Sequence, residues 1–215
     1  MLKFVFLTIC ASVILGSLAE GPPPVWQKAL MARYIIHATD WVSISTISVQ
    51  KGIEGYPFAT IKSFSDGSKE NSTGIPYFYM TDKELSQQDL EKDNRCTILA
   101  TLSEIGYCQK QNYDPQDPRC AKVIITGRLV KVKRDTDEYK FGQEALFDRH
   151  PQMKTWPDDH GFFVSKLNIE QIEVLDFFGG IAIVKLEDYM KATPDSDIKE
   201  NTIFSKIDVI EVDIF

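Results

Sequence analysis

Five stretches rich in β-branched and aromatic residues, WVSISTISVQ, PFATIKSFSD, IPYFYMT, CTILATLSEIGY and AKVIITGRLVKVK, succeed one another along the chain with turn signals between them. A further stretch, GFFVSKLNIEQIEVLDFFGG, reads as two more strands that close the core and end at Gly179-Gly180. Parallel strands need crossovers of a dozen or more residues, usually helical. Only three short helices are legible here, and few of them separate consecutive strands. The pattern therefore predicts a mostly β fold: an antiparallel barrel of around six strands (six-stranded if one of the seven stretches lies outside the barrel) with flanking helices rather than a parallel α/β sheet. At 215 residues, one well-buried domain accounts for the chain.

The first helix follows the extended leader GPPP and shows one face at Val25, Ala29, Ala32 and Ile36. WVSISTISVQ and PFATIKSFSD, joined through a Gly55-Tyr56-Pro57 turn, read as a hairpin. Thr81-Asp82-Lys83-Glu84 has the form of a capping box opening a second helix that runs through Lys92. The third helix spans about Asp137 to Asp148.

Residues 1–19, MLKFVFLTICASVILGSLA, read as a secretory signal: Lys3, an apolar run from Phe4 to Leu15, and a small-residue cleavage site at Ser17-Leu18-Ala19. The run is shorter than the roughly 20 residues a membrane span needs. The mature barrel domain is thus expected over 20–190, with 191–215 as a C-terminal extension of alternating apolar and acidic residues. Loss of Lys3 takes the formal charge from -7 to -8. Such a chain repels phosphates, which argues against nucleic acid and anionic lipid as partners. Lys122 to Arg134 holds five positive residues interleaved with apolar ones, the mark of a strand with a solvated face.

Entry into an oxidising compartment makes the cysteines informative. Cys108 and Cys120 flank QKQNYDPQDPR, whose two Asp-Pro steps favour turns, so a bridge between them would clamp a loop and contribute about 3 kcal/mol. Cys96 is left over, either as a buried free thiol or as half of an intermolecular disulfide. Asn71-Ser72-Thr73 is an acceptor for N-glycosylation in SDGSKENSTGIP, a polar, glycine-containing stretch expected to be an exposed loop. Asn94-Arg95-Cys96 is a much weaker variant.

No GxSxG elbow, HExxH helix, Walker loop or GxGxxG turn is present. His37, near Asp40, reads as a structural histidine, since a lone base lacks a nucleophile. His150 precedes Pro151 at a helix end. His150 and His160 with Asp158 or Asp159 lack a third ligand at diagnostic spacing, so no metal site is expected. No catalytic residue follows from these patterns.

RHPQMKTWPDDHGFFVSKLNIEQIEVLDFFGG nonetheless resembles, nearly word for word, the C-terminal signature of the CREG family of secreted glycoproteins. MARYIIHATDWVSIST, GYPFAT, GIPYFYM and CQKQNYDPQDPRC are similar to family segments in the same order, from about Trp26 to Tyr189. The resemblance implies an FMN-binding split-barrel fold related to pyridoxamine 5'-phosphate oxidases, and a homodimer. It also implies a secreted or endolysosomal glycoprotein that influences cell growth and differentiation without established catalysis, its flavin cleft filled and no cofactor bound. On this likeness HPQMKTWP is a structural turn, and Cys108 and Cys120 match the family's paired cysteines. Family members often carry a sequon at KLNIT; Glu170 replaces the threonine here, so Asn168 should be bare and mannose-based sorting by a receptor should depend on Asn71.

The leading expectation is a non-enzymatic dimer that binds other proteins, including a mannose-6-phosphate-type sorting receptor or another cell-surface protein. The rival is an FMN-dependent oxidoreductase whose phosphate grip would come from Ser45, Thr46, Lys62 and Ser63; period-two alternation to solvent is the plainer account of those residues. A third reading, an extracellular structural or adhesion module, rests on the tail beyond Lys191.

Overall fold

The computed structural model describes residues 21–68 and 71–194. The leader at 1–19 lies outside the described residues, as does the extension from 195 onward. Helix α1 (Lys28–Ala38) is followed by strands β1 (Trp41–Ile47), β2 (Pro57–Ser68) and β3 (Asn71–Met80), helix α2 (Leu85–Lys92) and strand β4 (Arg95–Thr101). A short helix α3 (Tyr107–Lys110), strand β5 (Lys122–Lys131), helix α4 (Asp137–Arg149), strands β6 (Phe163–Leu175) and β7 (Ala182–Val184) and helix α5 (Leu186–Lys191) complete it.

All pairings among these strands are antiparallel. The order β3-β2-β1-β4-β5-β6 closes on itself where Tyr77–Met80 of β3 pair with Phe163–Lys166 of β6. This is the expected six-stranded barrel. The short β7 extends the sheet by pairing with the far half of β6, at Ile172–Val174.

Alternation decides what the barrel encloses. In β1, β4 and β5 every second residue turns inward: Val42, Ile44, Ile98, Ala100, Val123 and Ile125 are fully buried. Ala32, Ile35 and Ile36 of α1 join the same core. A second cluster, Tyr77, Tyr139, Leu146, Met153 and Val164, forms where α4 packs on the sheet.

Several local features depart from the sequence reading: CTILATLSEIGY, read as one strand, is strand only to Thr101 and ends at the start of α3, and SDGSKENSTGIP, read as an exposed loop, is strand through Ser68 and again from Asn71. Val25 lies before the helix, because a turn from Pro24 O to Gln27 N delays the start of α1. The Thr81 capping box does not form: the Thr81 hydroxyl donates to the carbonyl of His160, and Glu84, the residue that would reach back, is held by Lys62. α2 consequently starts at Leu85 with no side-chain cap. Finally, the two strands read in GFFVSKLNIEQIEVLDFFGG are one strand of 13 residues. It bends at a bulge where Thr126 faces Gln171 and Gly127 faces Ile169, so Glu170 is the extra residue. Gly127 permits that bend, since a Cβ there would sit 2.1 Å from the Asn168 carbonyl oxygen. The second strand is β7, beyond the turn at Gly179-Gly180, where φ is +116° and +102°.

Candidate functional site

A flavin phosphate needs several free donors on one surface, and the four residues expected to supply them do not converge. Thr46 points inward and is buried; its hydroxyl donates to Asp89 Oδ2 at 2.7 Å, which also accepts from Val49 N through Oδ1 at 2.9 Å. Lys62 is also on the inward side of β2, and its ammonium pairs with the Glu84 carboxylate. Ser45 and Ser63 face outward. Ser63 pairs with Trp41 and Ser45 with Ala59, four residues apart along the strands or roughly 13 Å. A lysine already neutralised and a threonine already donating do not fit a phosphate group.

The segment from Arg149 to His160 is architecture. The Arg149 guanidinium donates to the carbonyls of His37 and Thr39, both at 2.8 Å, and lies 3.5 Å from Asp66 Oδ1. His150 donates Nε2–H to the Phe64 carbonyl at 2.9 Å, fixing α4 on β2. Trp156, Phe162 and Tyr79 pack as one three-ring cluster, with centroids 5.0 Å apart for Trp156–Phe162, 4.9 Å for Tyr79–Phe162 and 6.0 Å for Tyr79–Trp156. His160 is partly exposed, with Asp159 4.0 Å away. Among the described residues, no three His, Cys, Asp or Glu side chains are grouped to hold a metal.

His37 is structural, but its carboxylate partner is Asp66, at 2.9 Å, rather than Asp40. Asp66 is completely buried. Burial by itself would raise its carboxyl, but the His37 hydrogen bond and charge, the Ser72 hydroxyl and Arg149 outweigh that and hold it below the ordinary carboxylate value. Asp66 escaped notice in the sequence because Asp66-Gly67 reads as a turn signal, whereas the strand continues through it to Ser68.

Among the described residues, the outer face of the sheet presents a broad surface with exposed apolar side chains. Registers place Ile61, Ser43, Leu99, Ile124, Glu173 and Ile183 side by side in one row across β2, β1, β4, β5, β6 and β7. At the usual strand spacing the row is about 24 Å long. Ile61 is 62% exposed, Leu99 37% and Ile183 71%. Trp41 and Ile47 flank the row on β1, also exposed. The neighbouring row, Ala59, Ser45, Thr97, Thr126 and Gln171, is rich in hydroxyl and amide groups. Part of it, with Ile47, Pro57 and Arg95, lines a shallow recess of about 300 Å³. The sequence signal was present in TILATL, where apolar residues on both faces exceed what a half-solvated strand requires.

Near one end of this face lies Glu104. Burial, together with the charge of Asp40, pushes its carboxyl up to about 7, even though the Thr101 N–H donates to it. Its Oε2 is enclosed without a partner. A carboxyl raised on folding keeps its proton between its unfolded value and about 7, so stability falls as pH rises through that window. Because the group is half-exposed, the discounted effect is on the order of 1 kcal/mol. Urea denaturation should therefore show a more stable protein at pH 5 than at pH 7.5, and Glu104→Gln should flatten the difference.

Cys108 and Cys120 form a disulfide, and Cys96 is a free, buried thiol. Desolvation pushes the Cys96 thiol up to about 12, leaving it protonated and unreactive at neutral pH. Asn71 is exposed at the start of β3. Asn94 Oδ1 accepts from Arg128, and Glu170, at the position of the missing sequon threonine, also pairs with Arg128.

The family model described as "CREG, beta-barrel" matches residues 23–191. Protein CREG1 of Gallus gallus is 44% identical over 193 residues, covering 88% of this chain and 100% of the relative. Protein CREG1 of Homo sapiens is 40% identical over 171 residues, 80% of this chain and 77% of the relative. Protein CREG2 of Homo sapiens is 38% identical, covering 83% and 61%. Among solved structures, a heme binding protein from Mycobacterium smegmatis superposes with a TM-score of 0.62 at 19% identity, over 80% of this chain and 62% of that one. A protein related to general stress protein 26, of the pyridoxinephosphate oxidase family, from Clostridium acetobutylicum gives 0.51 at 12% identity, over 76% and 98%. At such identities these two structures speak to the split-barrel fold alone.

Proposed function

This chain belongs to the CREG β-barrel family, and from that premise we propose that it is a non-catalytic, homodimeric glycoprotein of the secretory and endolysosomal lumen. It acts by binding other proteins, receptors included, and through them modulates cell growth and differentiation. The observation that carries this reading is the apolar row across the outer sheet face. Exposed Ile61, Leu99 and Ile183, set in this row with Ser43 and Glu173 and flanked by Trp41, are costly to leave in water, and a second copy presenting the same face would cover them in a self-complementary contact. No helix among the described residues is long and apolar enough to cross a membrane.

Sedimentation or light scattering of the mature chain tests this directly. The wild type is expected to run as a dimer. Ile61→Lys combined with Leu99→Lys places two charges in the covered row, where desolvation costs several kcal/mol, and is expected to weaken association at least ~100-fold. Both side chains point away from the core, so the thermal unfolding of the monomer should change little. A wild-type monomer at micromolar concentration would overturn the reading. Deleting residues past Lys191 asks whether the extension builds the dimer, as an adhesion module would require.

The proposal includes the absence of flavin: Thr46 and Lys62 are committed within the fold, and Asp40 places a carboxylate next to Trp41. Purified protein is expected to be colourless and to retain no added FMN after desalting. A yellow preparation holding stoichiometric flavin would establish the oxidoreductase reading instead. Sorting is expected to follow the sugar, so Asn71→Gln should abolish capture by an immobilised mannose-6-phosphate receptor.

A further inference from the structure

The β2–β3 hairpin folds its own glycosylation signal into the protein. Transfer of an oligosaccharide to Asn71 requires the asparagine amide and the hydroxyl two residues on to be presented together on a pliable segment. In the folded chain neither condition holds. Asn71 pairs with Ser68 and Ser72 with Gly67. The Thr73 hydroxyl donates its single proton to the Asp66 carbonyl at 2.6 Å and accepts from Ile75 N at 3.1 Å. The intervening Ser72 hydroxyl donates to Asp66 Oδ2 at 2.5 Å, and its carbonyl accepts from Arg33 at 2.7 Å. Gly74 is fixed from both sides, its N–H donating to Asp66 Oδ2 at 3.3 Å and its carbonyl accepting from the Tyr189 hydroxyl at 2.7 Å.

We infer that Asn71 is an acceptor only before this hairpin closes, and that the folded chain is refractory to glycosylation. The inference rests on the reading above that Asn71 carries the sugar. The order of synthesis supplies the window. Hairpins form in microseconds, yet an isolated two-stranded hairpin is marginal in water. This one is secured by Tyr189, which lies 115 residues beyond Gly74. At 5–20 residues per second that is roughly 6–23 s of chain growth during which the segment stays open. A molecule that misses the window folds bare and stays bare, so glycosylated and unglycosylated forms do not interconvert.

The test uses full-length mature chain made without glycan and folded with its disulfide. It is incubated with purified oligosaccharyltransferase and a lipid-linked oligosaccharide, and occupancy at Asn71 is read by mass spectrometry. A synthetic peptide spanning Asp66 to Phe78 is the open acceptor. The peptide is expected to be modified at least ~10-fold faster than the folded chain. Arg33→Met, which releases the Ser72 carbonyl while keeping the sequon intact, is expected to raise transfer to the folded chain several-fold. Equal rates on peptide and wild-type folded chain would overturn the inference. A peptide that accepts no sugar would instead remove Asn71 as an acceptor, and the inference with it.

Discussion

Replacing Asp66 with alanine is expected to cost about 3–5 kcal/mol, the largest single effect of any side chain outside the apolar core. Asp66 is fully buried and gathers five groups from three elements of the fold: His37 of α1, Arg149 of α4, and Ser72, Gly74 and, through its carbonyl, Thr73 of β3. Deleting the carboxylate removes the buried counter-charge that His37 and Arg149 share and leaves Arg149 facing the exposed Asp40 carboxylate at 3.7 Å. For a domain of this size the loss corresponds to roughly 6–20 °C in Tm. The pH dependence has a defined sign. A carboxyl held below its ordinary value contributes stability that is fully present above the unfolded pKa of about 3.9 and disappears as pH falls through the folded value. The gap between wild type and Asp66→Asn, measured by urea denaturation, should thus persist down to pH 5, where His37 is charged, and shrink below about pH 4. A gap that vanished already at pH 5 would show that the carboxylate is not held as the geometry requires. The contribution therefore survives at mildly acidic pH.

The second large effect is expected from the disulfide. Cys108→Ala with Cys120→Ala opens a loop of sequence separation 12 and should destabilise the protein by about 3 kcal/mol, or roughly 6–12 °C in Tm. Both sulfurs are fully buried in the barrel core, so cavity formation adds to the chain-entropy effect. The consequence extends beyond the loop. Arg119, next to the bridge, lies 4.3 Å over the Tyr113 ring and 5.9 Å over that of Phe178. Opening the bridge should therefore also loosen the β6–β7 turn, read as faster amide exchange at Phe177–Gly180. A loss under about 1 kcal/mol, with exchange at that turn unchanged, would show that the loop is held by its other contacts.

Much of the barrel could be read in the chain. Period-two alternation in WVSISTIS and TILATL placed strands correctly, because a sheet face that meets a core imposes that period on any sequence. The helix at Asp137–Arg149 starts where Thr136 accepts from Tyr139 N, a local cap that needs no distant partner. The Thr81 box failed for the opposite reason. Its two polar side chains had better partners elsewhere, His160 79 residues away for Thr81 and Lys62 for Glu84. The candidate flavin residues illustrate the same limit: Ser45, Thr46, Lys62 and Ser63 share two strands, yet register and inward or outward facing sort them onto different surfaces.

By itself the sequence settled the class of fold, the approximate number of barrel strands, the cysteine pair and the exposed asparagine, all of which follow from local periodicity, turn chemistry and short separations. Only the tertiary structure decided that Asp66 is the buried hub, that the outer row from Ile61 to Ile183 is continuous, and that Thr73 is a structural hydroxyl. Those are statements about which strands lie side by side, and lateral neighbours are chosen by closure of the whole sheet, a condition no short stretch of chain contains.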